Sequence, residues 1–471
     1  MIFSHFIRRH ACRINNHFAS TGVLEKGKGV WSLALLILCL ACQPGVAQDS
    51  KTASVQAPDG FTALFNGADL EGWTALKTMD PRKFRALPVD EQTALMEDGI
   101  AEMEEFWSVE DGEIVNAGKG PYLTTLSEFR DFELMLDYKT VAEADSGIYL
   151  KATPQVQIWD TTEAGGKWKH GANFGSGGLW NNSAGQPGKD PLVLADKPFG
   201  QWNSVRVRQI GSRTSVWLNE KLVVDHAIME NMWDRKVPLA ANGPIQLQTH
   251  GGEIRWRNIF VREIDAEECA EILASKGNDG FESIFNGSNF EGWAGKVENY
   301  EVNDGVLRCK PDKGGTIFTK QQYSDFSVRV QFRLPEGGNN GLAIRYPGGD
   351  GSADTAYEGM CELQVLDSEH SKFANLDTRQ YHGSAYGIAA AHRGYLRPVD
   401  QWNFQEVTVV GSKIKVELNG TIILDCDVST VESYLRDRPH PGVMRKSGHF
   451  GFAGHSDPVE FKDVKIKRIE N

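Results

Sequence analysis

Two stretches of the chain alternate apolar and polar residues across a glycine turn: NSVRVRQIGSRTSVWLNEKLVVD at 203–225 and FQEVTVVGSKIKVELNGTIILD at 404–425. A period of two puts one apolar and one polar face on a β-strand, so both predict antiparallel hairpins, with Asn219 and Asn419 in tight turns. Most of the chain reads this way. Two stretches do not: 80–106 is rich in strong helix formers and predicts a helical insert, and DAEECAEILASKG at 265–277 predicts a helical linker.

The pattern occurs twice. GFTALFNGADLEGW at 60–73 returns as GFESIFNGSNFEGW at 280–293, with eight of fourteen positions identical. The echo continues in order through FWSVEDGEIVN and NYEVNDGVLRC, SGIYLK and NGLAIR, VQIWD and LQVLD, GQWN and DQWN, and LQTHGGEIRWRNI and FAGHSDPVEFKDV. A repeat of this length is a whole domain rather than a solenoid unit. The predicted organisation is a first β-sandwich at 58–264 carrying the insert 80–106, a linker at 265–279 and a second sandwich at 280–470. The fold class is all-β.

Composition narrows the partners. Of 471 residues 40% are hydrophobic and 24% charged, as in ordinary globular proteins, and the net charge of −13 argues against nucleic acid and anionic membrane surfaces. A 12-residue apolar run at 30–41 follows Lys26 and Lys28, the pattern of a signal peptide, so residues 1–48 are set apart and the protein is expected to be exported. Two exits fit: cleavage after Ala47, or lipid attachment at Cys42, where Cys39 stands in place of the usual leucine. Beyond this leader, Cys269, Cys309, Cys361 and Cys426 show no CxxC or zinc spacing; an oxidising compartment permits a disulfide, and buried free thiols fit equally.

Strand parity locates candidate chemistry. In CELQVLD, Leu363 and Val365 fall on the core side and Glu362 and Gln364 together on the other. In LAIR, parity turns Arg345 outward, and HFGFAGH presents His455 near a strand end. Asp367 falls on the side opposite to Glu362. His382, Tyr386 and His392 in the loop YHGSAYGIAAAHRG are acid candidates on a lid. Copy one exposes a different set: Gln155, Gln157 and Trp159, then Gln246, Gln248 and His250, with Tyr149 and Lys151, and Trp180 on a glycine-rich loop. Gln155 takes the place of Glu362, which removes the base and leaves amides and aromatics suited to sugar. Asn258 likewise stands opposite Asp463.

The ordered series of FNG, GW, DG, the (N/S)G strand, the (E/Q)xQ strand, QWN and the closing GxxxH resembles the DUF1080 family, also called 3-keto-disaccharide hydrolase domains, over both copies. That resemblance implies concanavalin A-like jelly rolls, export, and cleavage of 3-keto-glycosides by lyase or hydratase chemistry, in some members with a divalent metal. A ketone at C3 acidifies the C2 proton, so such a reaction needs a base, a positive group or metal for the enolate oxygen, and an acid for the leaving group. Glu362 or His455 is the candidate base, Arg345 the electrostatic stabiliser, Gln364 a hydroxyl ligand, and Glu362 with His455 and Asp367 a candidate metal set. Two other readings stand beside it: a non-catalytic carbohydrate-binding or scaffold protein, and a two-carboxylate glycosidase. The differences between the copies predict divided labour, with copy two for chemistry and copy one for holding sugar.

Overall fold

The computed structural model describes residues 55–470; the expected leader, with Cys42, lies outside the described residues. Each copy is a sandwich of one eight-stranded and one five-stranded antiparallel sheet, with the same strand order in both copies. In copy one the five-stranded sheet runs Trp73–Leu76, Tyr122–Thr125, Gln246–Leu247, Asp145–Leu150, Thr153–Trp159. In copy two it runs Trp293–Gly295, Gly314–Tyr323, Gly448–His455, Asn339–Tyr346, Cys361–Leu366. The fold is the all-β pair of jelly-roll sandwiches expected from the alternation, and each apolar face closes on its own buried core.

The repeated motifs are framework. Asn66 and Asn286 accept from the amides of residues two and three further on, and Trp73 and Trp293 donate their indole N–H to Leu64 O and Ile284 O at 2.6 and 2.8 Å. Asn203 and Asn403 of the QWN turns take the side-chain amides of Asn219 and Asn419 at 2.8 and 2.9 Å, tying turn to hairpin. Asn219 and Asn419 sit at φ 49° and 48°, as two-residue hairpin turns require. Asn258 and Asp463 are both at left-handed φ where the strand register shifts, so that difference between the copies lies in a bulge.

Helices form at Pro81–Ala86 and Val89–Phe106; the first is started by Asp80, whose carboxylate accepts from Arg82 N, and by Pro81 at its first position. The longer one lies against strand Trp73–Leu76: Thr74 Oγ1 donates to Met96 O at 3.1 Å, and Met103 enters the core. The linker helix Ala266–Ser275 is capped by Asp265 and buries Cys269, Ala270 and Leu273 with Ile210 of copy one and Phe404 of copy two. The copies also join through charges. Arg397 Nη2 lies 2.7 Å from Asp131 Oδ2 with both side chains buried, and Arg130 Nη2 donates to Tyr395 O and Leu396 O at 2.7 and 3.0 Å. Cys269, Cys309, Cys361 and Cys426 are free thiols.

Candidate functional site

Three neighbouring strands of copy two build the site. Asn339–Tyr346 lies between Cys361–Leu366 and Gly448–His455, pairing Gly341 with Gln364 on one side and Ala453 on the other, and Ala343 with Glu362 and Gly451. Glu362 and His455 therefore start two strands apart, about 9.6 Å across the sheet, and are also offset along it, since the residue opposite Glu362 on the far strand is Gly451. They meet because the residues between them are small. A Cβ on Gly341 would fall 2.1 Å from Glu362 Oε1, so only glycine lets that carboxylate lie across the middle strand. Glu362 Oε1 then stands 3.1 Å from His455 Nε2. The carboxylate is buried and the imidazole 44% exposed. Burial lowers the His455 pKa, but the hydrogen bond and charge of Glu362, with Asp457 and Asp354 behind it, outweigh burial and hold it above its usual value. This favours an imidazolium.

Gln364 shares this face as predicted, donating to Asn339 Oδ1 at 2.6 Å and Asn340 O at 3.2 Å. Tyr386 also stands here. Its amide donates to Glu362 O at 2.9 Å and its hydroxyl accepts from Gln380 Nε2 at 2.9 Å. Beyond it lies an aromatic wall that parity missed. Tyr357 packs at a tilt on His440 at 4.5 Å, Tyr434 meets the same ring at 4.8 Å, and Tyr386 meets Tyr357 edge-on at 6.5 Å. Tyr357 lies in the short helical turn Thr355–Glu358 and the others in irregular segments; for Tyr434 and His440 the signal was a run of Tyr, Arg and His at 434–440, YLRDRPH. Residues 347–360 fold back over the rest of the face, packing Ala353 on Phe318, Ala343 and Tyr346 and setting Thr355 Oγ1 2.9 Å from Thr316 Oγ1.

Four expected site residues lie elsewhere. Arg345 is not turned outward: its backbone is at φ 47°, and the register shifts between Ala343 and Tyr346, so a bulge reverses parity at that residue. Its guanidinium is buried, donating to the carbonyls of Ser324, Gly411 and Arg445 at 2.7–2.8 Å and to Asp325 Oδ1 at 2.9 Å. Asp367 accepts from Gly337 N at 2.8 Å, a loop-closing role. His382 is a core histidine, bonded to Gln405 Oε1 at 3.1 Å and packed 5.0 Å from the ring of Phe332; burial lowers its pKa to about 3, which suits neither an acid nor a lid. His392 is anchored apart from this group, its amide on Ile423 O. Glu362 and His455 supply two metal donors. No cluster of three His, Cys, Asp or Glu side chains fit to hold an ion occurs among the described residues, so the predicted ligand set is incomplete without Asp367.

Copy one fills the same face. Tyr149 stands where copy two has Ala343, Gln246 where it has Gly451, and Gln248 where it has Ala453; all three are buried. Gln155 Nε2 donates to Gln157 Oε1, and Gln157 Nε2 to Asp145 Oδ1 at 2.8 Å. Gln155, Gln157 and Gln248 thus share the predicted face, but as a packed amide cluster rather than an exposed one. His250, the counterpart of His455, turns to Asp145 Oδ2 at 2.8 Å, beside Lys167 on the same carboxylate. Lys151, expected outward, is fully buried with Nζ on Gly211 O at 2.8 Å, and burial lowers its pKa to about 8. Trp159 is buried with its indole N–H on Gly175 O, and the partly buried Trp180 meets it edge-on at 6.2 Å, its own N–H on His170 O.

Comparison with known proteins finds the 3-keto-alpha-glucoside-1,2-lyase-like domain matching residues 60–262 and again 280–467. A 3-keto-disaccharide hydrolase of Bacteroides thetaiotaomicron is 20% identical over 249 residues, covering 45% of this chain and 86% of that protein. A crystal structure from Parabacteroides distasonis, described as a candidate glycosyl hydrolase, aligns at 24% identity and a TM-score of 0.36 over 40% of this chain and 99% of its own. The carbohydrate-binding module CBM66 of Bacillus subtilis aligns at 15% identity and a TM-score of 0.22 over 40% of this chain and 95% of its own.

Proposed function

Because the chain belongs to the 3-keto-alpha-glucoside-1,2-lyase-like family in both halves, we propose that it is an enzyme cleaving 3-keto-glycosides on the five-stranded face of copy two. The observation that carries this reading is the Glu362–His455 pair over a floor of Gly341 and Ala453, against Gln155 and a filled face in copy one.

The chemistry follows from the pair. The Glu362 carboxylate takes the C2 proton, and the electrons of that bond form a C2–C3 double bond as charge moves to the C3 oxygen. The enolate then collapses: its oxygen regains the carbonyl, a C1–C2 double bond forms, and the C1–O bond breaks. The His455 imidazolium protonates the departing oxygen, in keeping with its raised pKa. Water adding at C1, with a proton returned to C2, completes net hydrolysis. Gln364 and Tyr386 stand where they can hold sugar hydroxyls. A two-carboxylate glycosidase finds no support at this pair, because Asp367 is committed to the Gly337 amide.

The test is aglycone release from a 3-keto-glucoside and from the same glucoside unoxidised. Turnover of the first alone, lost in Glu362→Gln, is expected; binding without turnover would leave a carbohydrate-binding protein instead. Export through the 1–48 leader belongs to the same proposal. The mass of the mature N-terminus in cells making the full chain distinguishes cleavage after Ala47, a lipid on Cys42, and no processing, which would refute export by this route.

A further inference from the structure

Several guanidinium groups surround the face of copy two, and most are already committed. Arg345 is buried among carbonyls. Arg379 Nε lies 2.9 Å from Asp377 Oδ1 and Arg438 Nη2 3.0 Å from Asp354 Oδ2, with Arg438 also 3.3 Å above the Tyr357 ring. Arg445 Nε donates to Glu358 O at 2.7 Å. Arg436 differs: it is exposed and has no hydrogen bond or ion pair among the described residues.

Its backbone is unusual as well. Arg436 sits at φ 54°, ψ 30°, and Asp437 follows at φ 52°, a left-handed pair that a residue with a Cβ adopts at a cost. The segment is held firmly in that shape. The Leu435 amide donates to Gly387 O at 2.8 Å, and Arg379 Nη1 to Ser433 O at 3.4 Å. Gly387 follows Tyr386, whose own amide is bonded to Glu362 O. A strained turn thus holds Arg436 next to Leu435, which is bonded to the neighbour of Tyr386, and the Arg436 charge is felt at the Asp377 carboxylate. It also reaches the Tyr386 hydroxyl, where it opposes the rise in pKa that burial causes.

We infer that Arg436 binds the C3 oxygen of the sugar and stabilises the negative charge that develops there when the C2 proton leaves. This is the electrostatic role that the sequence pattern assigned to Arg345, and it rests on the 3-keto-glycoside reading above. The planar fork donates N–H bonds to the ketone oxygen, and these strengthen as the carbonyl π electrons move onto that oxygen. No bond to Arg436 forms or breaks. When the enolate collapses, the charge passes to the departing oxygen and the fork relaxes.

The left-handed backbone makes the test discriminating, because glycine adopts that conformation freely. In the full chain, Arg436→Gly is expected to keep or raise the thermal midpoint while kcat/KM on a 3-keto-glucoside falls about 100-fold or more. Millimolar guanidinium ion is expected to restore part of the lost rate in that variant and to leave wild type unchanged. Activity within about threefold of wild type would overturn the inference, since loss of one transition-state donor costs far more. So would a lowered midpoint with a rate loss that guanidinium does not mend, because that is a structural role. A wild-type protein silent on every 3-keto-glycoside would overturn the underlying reading instead, a separate result visible without any variant.

Discussion

Glu362 Oε1 and His455 Nε2 stand 3.1 Å apart across strand Asn339–Tyr346, and Gly341 beneath them is the reason they can meet. A methyl group there would lie 2.1 Å from the carboxylate oxygen. Gly341→Ala is therefore expected to push Glu362 off the pair and lower kcat/KM about 100-fold, as an ångström of misplacement does, with the fold kept. Steady-state kinetics alongside circular dichroism check it; an unchanged rate would show that the pair needs no such clearance.

The charge of Glu362 should be visible in the titration of His455. Its raised pKa means that pairing stabilises the fold fully below the usual 6.5 and that this contribution is lost as pH rises through the folded value. A reaction needing the imidazolium loses rate over the same alkaline limb. Glu362→Gln should lower kcat/KM by about 10²–10⁴ and move the His455 titration to lower pH. A ring titration by NMR that stays in place would refute the pairing.

Arg345 is expected to matter for stability alone. Arg345→Met leaves the carbonyls of Ser324, Gly411 and Arg445 without their donor and should cost about 3 kcal/mol or more in urea unfolding. The folded fraction should keep its kcat/KM. A stable variant with poor turnover would put Arg345 back in the site.

Acid should unfold the protein partly through His382. Its folded pKa is about 3 against 6.5 when free, so the unfolded chain takes the proton first and stability falls as pH drops from 6.5 toward 3. The loss reaches about 4 kcal/mol at the low end. His382→Gln should flatten that limb in a series of urea midpoints against pH, and an equally steep limb would count against the buried neutral ring.

Regular alternation is what made the sequence legible. Glu362, Gln364 and His455 lie on unbroken strand segments, so a period of two placed them on one face, and the repeated Asn turns marked the hairpins. Arg345 escaped because one residue at left-handed φ reverses the parity, and nothing in NGLAIR announces a bulge. The same rule assigned the glutamines of copy one to a shared face but could not say that Tyr149 and their own amides would fill it. Tyr357 lies in a single helical turn, Arg436 in a 3-10 turn and His440 in a connecting segment, all too short for a period to read.

The buried bond from Arg397 to Asp131 gives each half of the chain a hold on the other. Copy one cannot be removed without stranding the Arg397 charge in its sister. If copy two carries the turnover proposed above, its activity depends on residues of copy one far from the Glu362–His455 pair, and a lesion at either end of this bond is a defect of both halves.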